Sequence, residues 1–215
     1  MNARYDIVQG TTDWHQARWG KVGGTLAKGL FVNSDTLLFD VLSECLEEYQ
    51  ESDGYTSSDM LRGIELEPEA RKRLSEYCGI TFNEVGWIES TQNSLIGISP
   101  DGISECETIQ CEIKCPGSKK HLKTLLENAI PDDNIHQCIH AFTVNEKLEK
   151  LYFCSFRPES IKSLFVFELT RETQITLGTK AKPVTKSVAE WSAIALNESF
   201  VLSGEIKKAI EQLYF

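Results

Sequence analysis

Two short segments, Ser99-Pro100-Asp101-Gly102 and Glu112-Ile113-Lys114-Cys115-Pro116, constrain this chain more than any others. Side chains on a strand alternate between faces, so Glu112 and Lys114 project together while Ile113 turns away. Pro100 biases Ser99 toward extended backbone and Gly102 permits a tight bend, which sets Asp101 where a strand opens or a hairpin turns. The stretch 103–110 is short enough for an antiparallel return that carries Asp101 beside Glu112. Two carboxylates and one ammonium then converge on a point. Hard oxygen ligands suit Mg²⁺, which takes one or two protein carboxylates and keeps several waters. Such an ion polarises a phosphodiester oxygen and acidifies a bound water, and a second ion can share the site. Lys114 would orient the attacking water or offset charge growing on the phosphate. The competing explanation is a surface strand carrying an ordinary Glu–Lys pair. Proline punctuation at both strand ends favours the metal site.

A chain of 215 residues, 41% hydrophobic and 25% charged, has the size and balance of one globular domain with a substantial core. No apolar run reaches the ~18 residues needed to span a bilayer, and the opening MNARYDIVQG lacks a signal-peptide pattern, so no membrane association and a cytoplasmic location are expected. Seven cysteines are scattered over Cys45, Cys78, Cys106, Cys111, Cys115, Cys138 and Cys154. Neither Cys106, Cys111 and Cys115 nor the pair His136 and His140 has a firm ligand spacing, and reduced thiols are the expectation. The formal charge of −10 argues against a protein that coats nucleic acid non-specifically. It still permits a basic groove: Lys114, Lys119, Lys120, His121 and Lys123 form one local basic cluster, either a phosphate contact or a solvated helix start.

Periodicity predicts helices over 34–49, capped by Ser34 or Asp35, and over 68–77, with Pro68 in the first turn and Gly79 as the stop. A polar loop over 51–58 separates them. Strands follow over 84–91, 94–99, 102–107 and 109–114 as a meander. Helices are expected over 119–128 and 134–144, strands over 151–156 and 163–169, and helices over 188–197 and 204–213. This order gives an α/β or α+β fold, a mixed sheet flanked by helices.

Several ordered segments resemble a known family. Trp14-His15-Gln16-Ala17-Arg18-Trp19-Gly20, Arg62-Gly63-Ile64-Glu65-Leu66-Glu67, the two segments above and Gln137 in Ile135-His136-Gln137 together resemble the phage lambda-type alkaline exonucleases. That family, whose recombinase members are YqaJ-like, lies within the PD-(D/E)XK nuclease superfamily with its restriction-endonuclease-like core. The resemblance runs from about Gln9 to Leu169 and implies a single nuclease domain over 1–215, with a core at 9–169 and a strand and helical extension at 170–215.

The resemblance also implies roles. Asp101, Glu112 and the backbone carbonyl of Ile113 would bind metal, with Glu67 reaching a second ion or its water. Lys114 would assist the nucleophile, with Gln137 near it. Arg18 would receive a 5′-phosphate through its planar fork, with Thr25 and Ser99 as hydroxyl donors and Lys119 and Lys120 as further DNA contacts. Each has a plainer alternative: Glu67 as a helix-start acid favoured by the dipole, Gln137 as a face residue, Arg18 as a surface charge. The implied activity is Mg²⁺-dependent 5′→3′ degradation of linear double-stranded DNA, with Mn²⁺ as a substitute and two ions in the site. The implied partners are duplex DNA ends and a single-strand annealing protein, in a homotrimeric ring, within a host cytoplasm. A structure-specific endonuclease, an exonuclease of opposite polarity and a non-catalytic DNA-binding or assembly protein are the alternatives.

Overall fold

The computed structural model describes residues 1–32, 34–51, 57–179 and 181–214. Its elements run β1 (Asn2–Arg4), α1 (Thr12–Arg18), a 3₁₀ turn (Ala27–Leu30), α2 (Asp35–Leu46), α3 (Ser58–Cys78), β2 (Trp87–Glu89), β3 (Gly97–Ile98), β4 (Gly102–Ile103) and β5 (Ile109–Lys114). Then come α4 (Ser118–Glu127), α5 (Asp132–Val144), β6 (Lys150–Phe156), β7 (Leu164–Thr170), β8 (Gln174–Thr179), β9 (Lys182–Ser187) and α6 (Val188–Tyr214). The main sheet has the order β4-β5-β6-β7, with β5 and β6 parallel and the other pairs antiparallel. The parallel pair needs a crossover, and α4 with α5 supplies it. This is the mixed α/β architecture that the element order predicts.

Strand β5 is buried along its centre, so its two faces pack against different layers. Cys111, Ile113 and Cys115 join Ala70 and Leu74 of α3, Phe82, and Cys154 and Phe156 of β6 in one apolar cluster. On the opposite face, Leu151, Phe153 and Leu169 pack with Ile139 and Phe142 of α5 and Leu202 and Ile206 of α6. Register pairs Glu112 with Phe153, so Glu112 and Lys114 share the α5 face.

Several expectations need correction. The four strands after α3 exist but do not form one meander, because β2 and β3 pair with β1 while β4 joins β5. Two separate sheets result, and the break falls at Pro100, which cannot donate a ladder hydrogen bond. The second helix does not begin at Pro68: α3 starts at Ser58, capped by the Ser57 hydroxyl, and carries Pro68 within it. A proline removes the bond to the carbonyl four residues back. Here that residue is Ile64, which is exposed, so water can take the carbonyl. Gly79, in the left-handed conformation at φ 69°, does end the helix. The two C-terminal helices are one, α6, of 27 residues, because Gly204 lies mid-helix where a glycine weakens but does not end it. Strand β1 is an addition, the β8–β9 hairpin lies within the span 170–215 where a strand and helical extension is expected, and part of the expected 51–58 loop lies outside the described residues. Among the described residues no helix is long and apolar enough to cross a membrane.

Helix α5 also carries a buried histidine that ties it to β3 and to the segment at Val22. The His140 Nε2–H is shared between the carbonyls of Val22 at 3.2 Å and Gly97 at 3.0 Å, leaving Nδ1 buried and unpartnered. Two carbonyl acceptors require the proton on Nε2. Burial pulls the imidazole from 6.5 down to about 4. The unfolded chain therefore takes up a proton below about 6.5 that the folded chain refuses until about 4. Stability should fall across that window as pH drops, by up to about 3 kcal/mol from this group. His140→Gln removes the term, so the stability lost between pH 7.5 and 4.5 in urea unfolding should be smaller in the variant. Equal losses in the two proteins would rule this out.

Candidate active site

The short β4–β5 pairing matches Gly102 with Cys111 and Ile103 with Gln110, and continuing that register sets Asp101 opposite Glu112. Asp101 Oδ2 accepts the Ile113 backbone N–H at 2.5 Å, in place of the ladder bond that a longer β4 would have made. A strand residue's N–H and C=O leave on the same edge, so the Ile113 carbonyl also lies on the Asp101 side. Gly102 holds this geometry for a reason other than the expected bend. Its φ is not positive, but a Cβ there would meet Phe82 Cβ at 2.8 Å and Cys111 Sγ at 2.9 Å. Close approach of two backbones, not turn geometry, requires glycine. Gln9 reinforces the same corner, donating to the carbonyls of Val85 at 2.9 Å and Pro100 at 3.0 Å. Nothing in the local sequence pattern marks Gln9 for that task.

Glu112 is 1% exposed and forms an ion pair with Lys114, whose side chain is a third exposed. Burial, together with the charges of Asp101 and Glu67, drives the Glu112 carboxyl up to about 8 even though Lys114 opposes the shift. Asp101 is raised by burial, and Glu67 by burial and by Asp101. Burial alone would pull Lys114 down, but Glu112 and Asp101 more than offset it and hold the ammonium firmly charged. Three acids therefore share two cations, Lys114 and an Arg71 that also pairs with Glu84, and Glu112 Oε1 is buried without a well-formed hydrogen bond. Such a set is short of positive charge. Among the described residues no three His, Cys, Asp or Glu side chains gather closely enough to cage a metal by themselves. Mg²⁺ does not need such a cage, since one or two carboxylates, a carbonyl and water suffice. The residues present fit the ion.

Glu67 comes from α3. Because that helix begins nine residues earlier, Glu67 is not a helix-start acid, and the dipole does not explain it. Leu74, two turns on along the same side of the helix, is buried, whereas Ile64, one turn back, is exposed. Its Oε1 accepts from Arg71 Nη2 at 2.6 Å, and Arg71 also pairs with Glu84. Arg71 is a residue that the sequence reading missed. The signal was available, since Glu67 and Arg71 stand four apart, the spacing of helix neighbours, once a helix runs through Pro68.

The expected phosphate pocket is partly assembled. The Arg18 guanidinium lies 3.9 Å from the Trp14 ring centroid, and among the described residues it has no carboxylate partner or hydrogen bond. Burial lowers its pKa, with Glu44 opposing, yet an arginine remains charged. Gly24 is a close-approach position: a Cβ there would collide with Gln137 Cγ at 2.9 Å, whereas one at Gly23 would make ordinary contact with Arg18 Nη2 at 3.5 Å. Arg18 and Gln137 thus flank the double glycine, and only Gly24 must lack a side chain to admit its neighbour. A cavity of about 310 Å³ beside it is lined by Thr25, Gln137 and Lys114, among others. Ser99 departs from its expected role as a hydroxyl donor. Its proton goes to the Gly86 carbonyl at 2.7 Å while it accepts from Trp14 Nε1 at 2.8 Å, so it braces the tryptophan under Arg18.

The basic cluster divides. Lys119 and Lys120 are exposed on α4, and Lys120 lies 3.9 Å from Asp133, while Lys123 reaches Glu127 at 3.7 Å. His121 leaves the cluster altogether: it is buried, bound to Ser155 Oγ at 2.9 Å and the Lys162 carbonyl at 2.8 Å. A second cavity of about 870 Å³ lies between α3, α4 and the start of α5, with Lys114 and Lys120 on its walls. The seven cysteines are free, and Cys111, Cys115, Cys138 and Cys154 are buried as small apolar groups.

Residues 13–147 match the family model for the YqaJ-like viral recombinase domain, a span that carries Arg18, Thr25, Glu67, Asp101, Glu112, Lys114 and Gln137. The fold is similar to the crystal structure of an alkaline exonuclease from Laribacter hongkongensis, with TM-score 0.74 at 24% identity over 94% of this chain and 96% of that one. The same protein in complex with dAMP gives TM-score 0.73 at 24% identity over 94% and 98%. A phage-related exonuclease from Haemophilus somnus 129PT gives 0.54 at 12% identity over 99% and 96%. No curated protein matches the sequence.

Proposed function

The chain belongs to the YqaJ-like viral recombinase domain family, and from that premise we propose that it is a Mg²⁺-dependent exonuclease degrading one strand of linear double-stranded DNA from its 5′ end. The observation that carries the reading is the meeting of Asp101, Glu112, Glu67 and Lys114 at the edge where β4 stops and β5 continues. The relatives in fold are exonucleases, one crystallised with dAMP, in keeping with a deoxyribonucleotide at such a site.

Asp101, Glu112 and the Ile113 carbonyl would hold the first ion and Glu67 would reach a second, with Mn²⁺ able to replace Mg²⁺. Bound there, the metal supplies Lewis acidity to the phosphodiester and a more acidic water. Lys114 supplies a fixed ammonium where negative charge grows on the phosphate, and Gln137 can orient the water from α5. Arg18, stacked on Trp14 and without a carboxylate partner among the described residues, is preorganised to take a terminal 5′-phosphate in its fork. Thr25 adds a hydroxyl, while Ser99 acts through Trp14 and not as a donor. Lys119 and Lys120 meet the duplex backbone. The product is a 3′ overhang, the substrate of a single-strand annealing protein in phage-type recombination. A ring of three subunits would enclose the duplex, and an enclosing positive bore would reconcile DNA binding with the net charge.

The test is digestion of linear duplex labelled at either end, with and without a 5′-phosphate and with and without Mg²⁺. Expected is metal-dependent loss of the 5′ label, faster from phosphorylated ends. Arg18→Ala should cut that preference by about tenfold or more, as a charge-assisted bond worth roughly 1.5–3 kcal/mol implies. Release of the 3′ label first would reverse the polarity, and no cleavage with any divalent ion would leave a binding protein.

A further inference from the structure

We propose that Lys28 is a positioning residue for the 5′-terminal nucleotide, a second cation that fastens the phosphorylated end beside the Thr25 hydroxyl. The inference rests on the reading of the site as a 5′-end exonuclease and adds a residue that neither the sequence motifs nor the family resemblance supplied. The cavity of about 310 Å³ that Lys114 enters is also walled by Lys28, Asn134 and His136. Ligand pockets run from roughly 300 to 1,000 Å³, so this one suits a single nucleotide and not a duplex. Of its two ammonium groups Lys114 is ion-paired with Glu112, and its one carboxylate, Asp133, lies 3.9 Å from Lys120 outside it, which leaves the Lys28 ammonium as the charge that an anion there would meet.

Lys28 is exposed, and among the described residues no carboxylate lies within ion-pair distance of it. Its base is rigid even though its stem is not. The 3₁₀ turn that carries it is anchored by Ala27 and Leu30, 0% and 2% exposed, and pressed onto α2 at Gly29, where a Cβ would meet Leu37 at 2.8 Å. Lys28 and His136 line the same cavity, and after burial the charge of Lys28 is the next cause lowering the His136 imidazole. His136 therefore stays neutral near pH 7 and can hydrogen-bond without adding charge. The two cations divide their work by chemistry. Arg18 reads a phosphate through a planar fork, whereas Lys28 offers a mobile point charge that can follow the end as it advances.

The experiment compares wild type, Lys28→Ala and Lys28→Arg on linear duplexes with 5′-phosphate or 5′-hydroxyl ends, across a series of salt concentrations. Lys28→Ala should raise KM for phosphorylated ends about tenfold and lower kcat no more than about twofold. Its preference for the phosphate should shrink, and the log–log salt slope of binding should fall by about 0.7–0.9, one phosphate contact. Lys28→Arg should restore both, and all three proteins should melt together because the side chain is exposed. Unchanged preference and slope in Lys28→Ala, with wild type still favouring phosphorylated ends, would overturn the role of Lys28 alone. A wild type indifferent to the 5′-phosphate would overturn the underlying reading and this inference with it.

Discussion

Lys114→Ala is expected to reduce strand cleavage at least about 10³-fold while the protein still binds duplex DNA. A lone positioned charge or proton-transfer group contributes roughly 10²–10⁴-fold to such reactions. Here the ammonium is paired with a carboxylate that is almost wholly buried, so its position is tightly held. The loss should appear in kcat, since other cations carry the phosphate backbone. Removing the cation also strands Glu112, and an uncompensated buried charge costs about 3–5 kcal/mol unless the carboxyl takes a proton. Lys114→Met, which keeps the apolar stem, separates the two effects: it should retain more stability than the alanine variant and be equally inactive. Single-turnover cleavage alongside a binding isotherm checks both. Near-normal turnover in either variant would remove the lysine from the chemistry.

Asp101→Asn should abolish cleavage and, more tellingly, the stabilisation of the protein by Mg²⁺. An ion that binds only the native state raises the melting temperature, by the equivalent of about 2.7 kcal/mol at a hundredfold excess over Kd. The asparagine oxygen can still accept the Ile113 N–H that Asp101 holds at 2.5 Å, so the β4–β5 corner survives and only the charge is lost. Burial raises the Asp101 carboxyl, which means that its ionised form is costly in the metal-free protein. The variant should therefore melt higher than wild type without Mg²⁺ and show little change when Mg²⁺ is added. A wild-type-sized shift in Asp101→Asn would exclude this carboxylate as a ligand.

Much of the site could be read before any fold was known, because its logic is local. Glu112 and Lys114 share a face by strand alternation, and Pro100 with Gly102 frames Asp101 at a strand start. Helix α2 is capped by Ser34 and α3 ends at Gly79, as capping chemistry requires. What local reasoning got wrong follows from tertiary override. Pro68 reads as a helix start, yet it lies inside α3 because Ala70 and Leu74 bury that helix against β5 and outweigh one lost hydrogen bond. The interval 198–203 reads as a gap between two helices, yet Ser199 and Leu202 within it are buried and carry α6 through.

The sequence alone, then, determined which strand bears the acid and the lysine, which face they share, and where the partner acid must start. Those follow from a two-residue period and from the backbone limits of proline. Only the tertiary structure decided that Glu67 meets them held by Arg71, that the Ser99 proton goes to a carbonyl, and that Lys28 shares a cavity with Lys114. These are approaches between elements far apart in the chain. Packing of α3 against β5 and of the 3₁₀ turn against α5 creates the first and the last of them, and no local period encodes that distance.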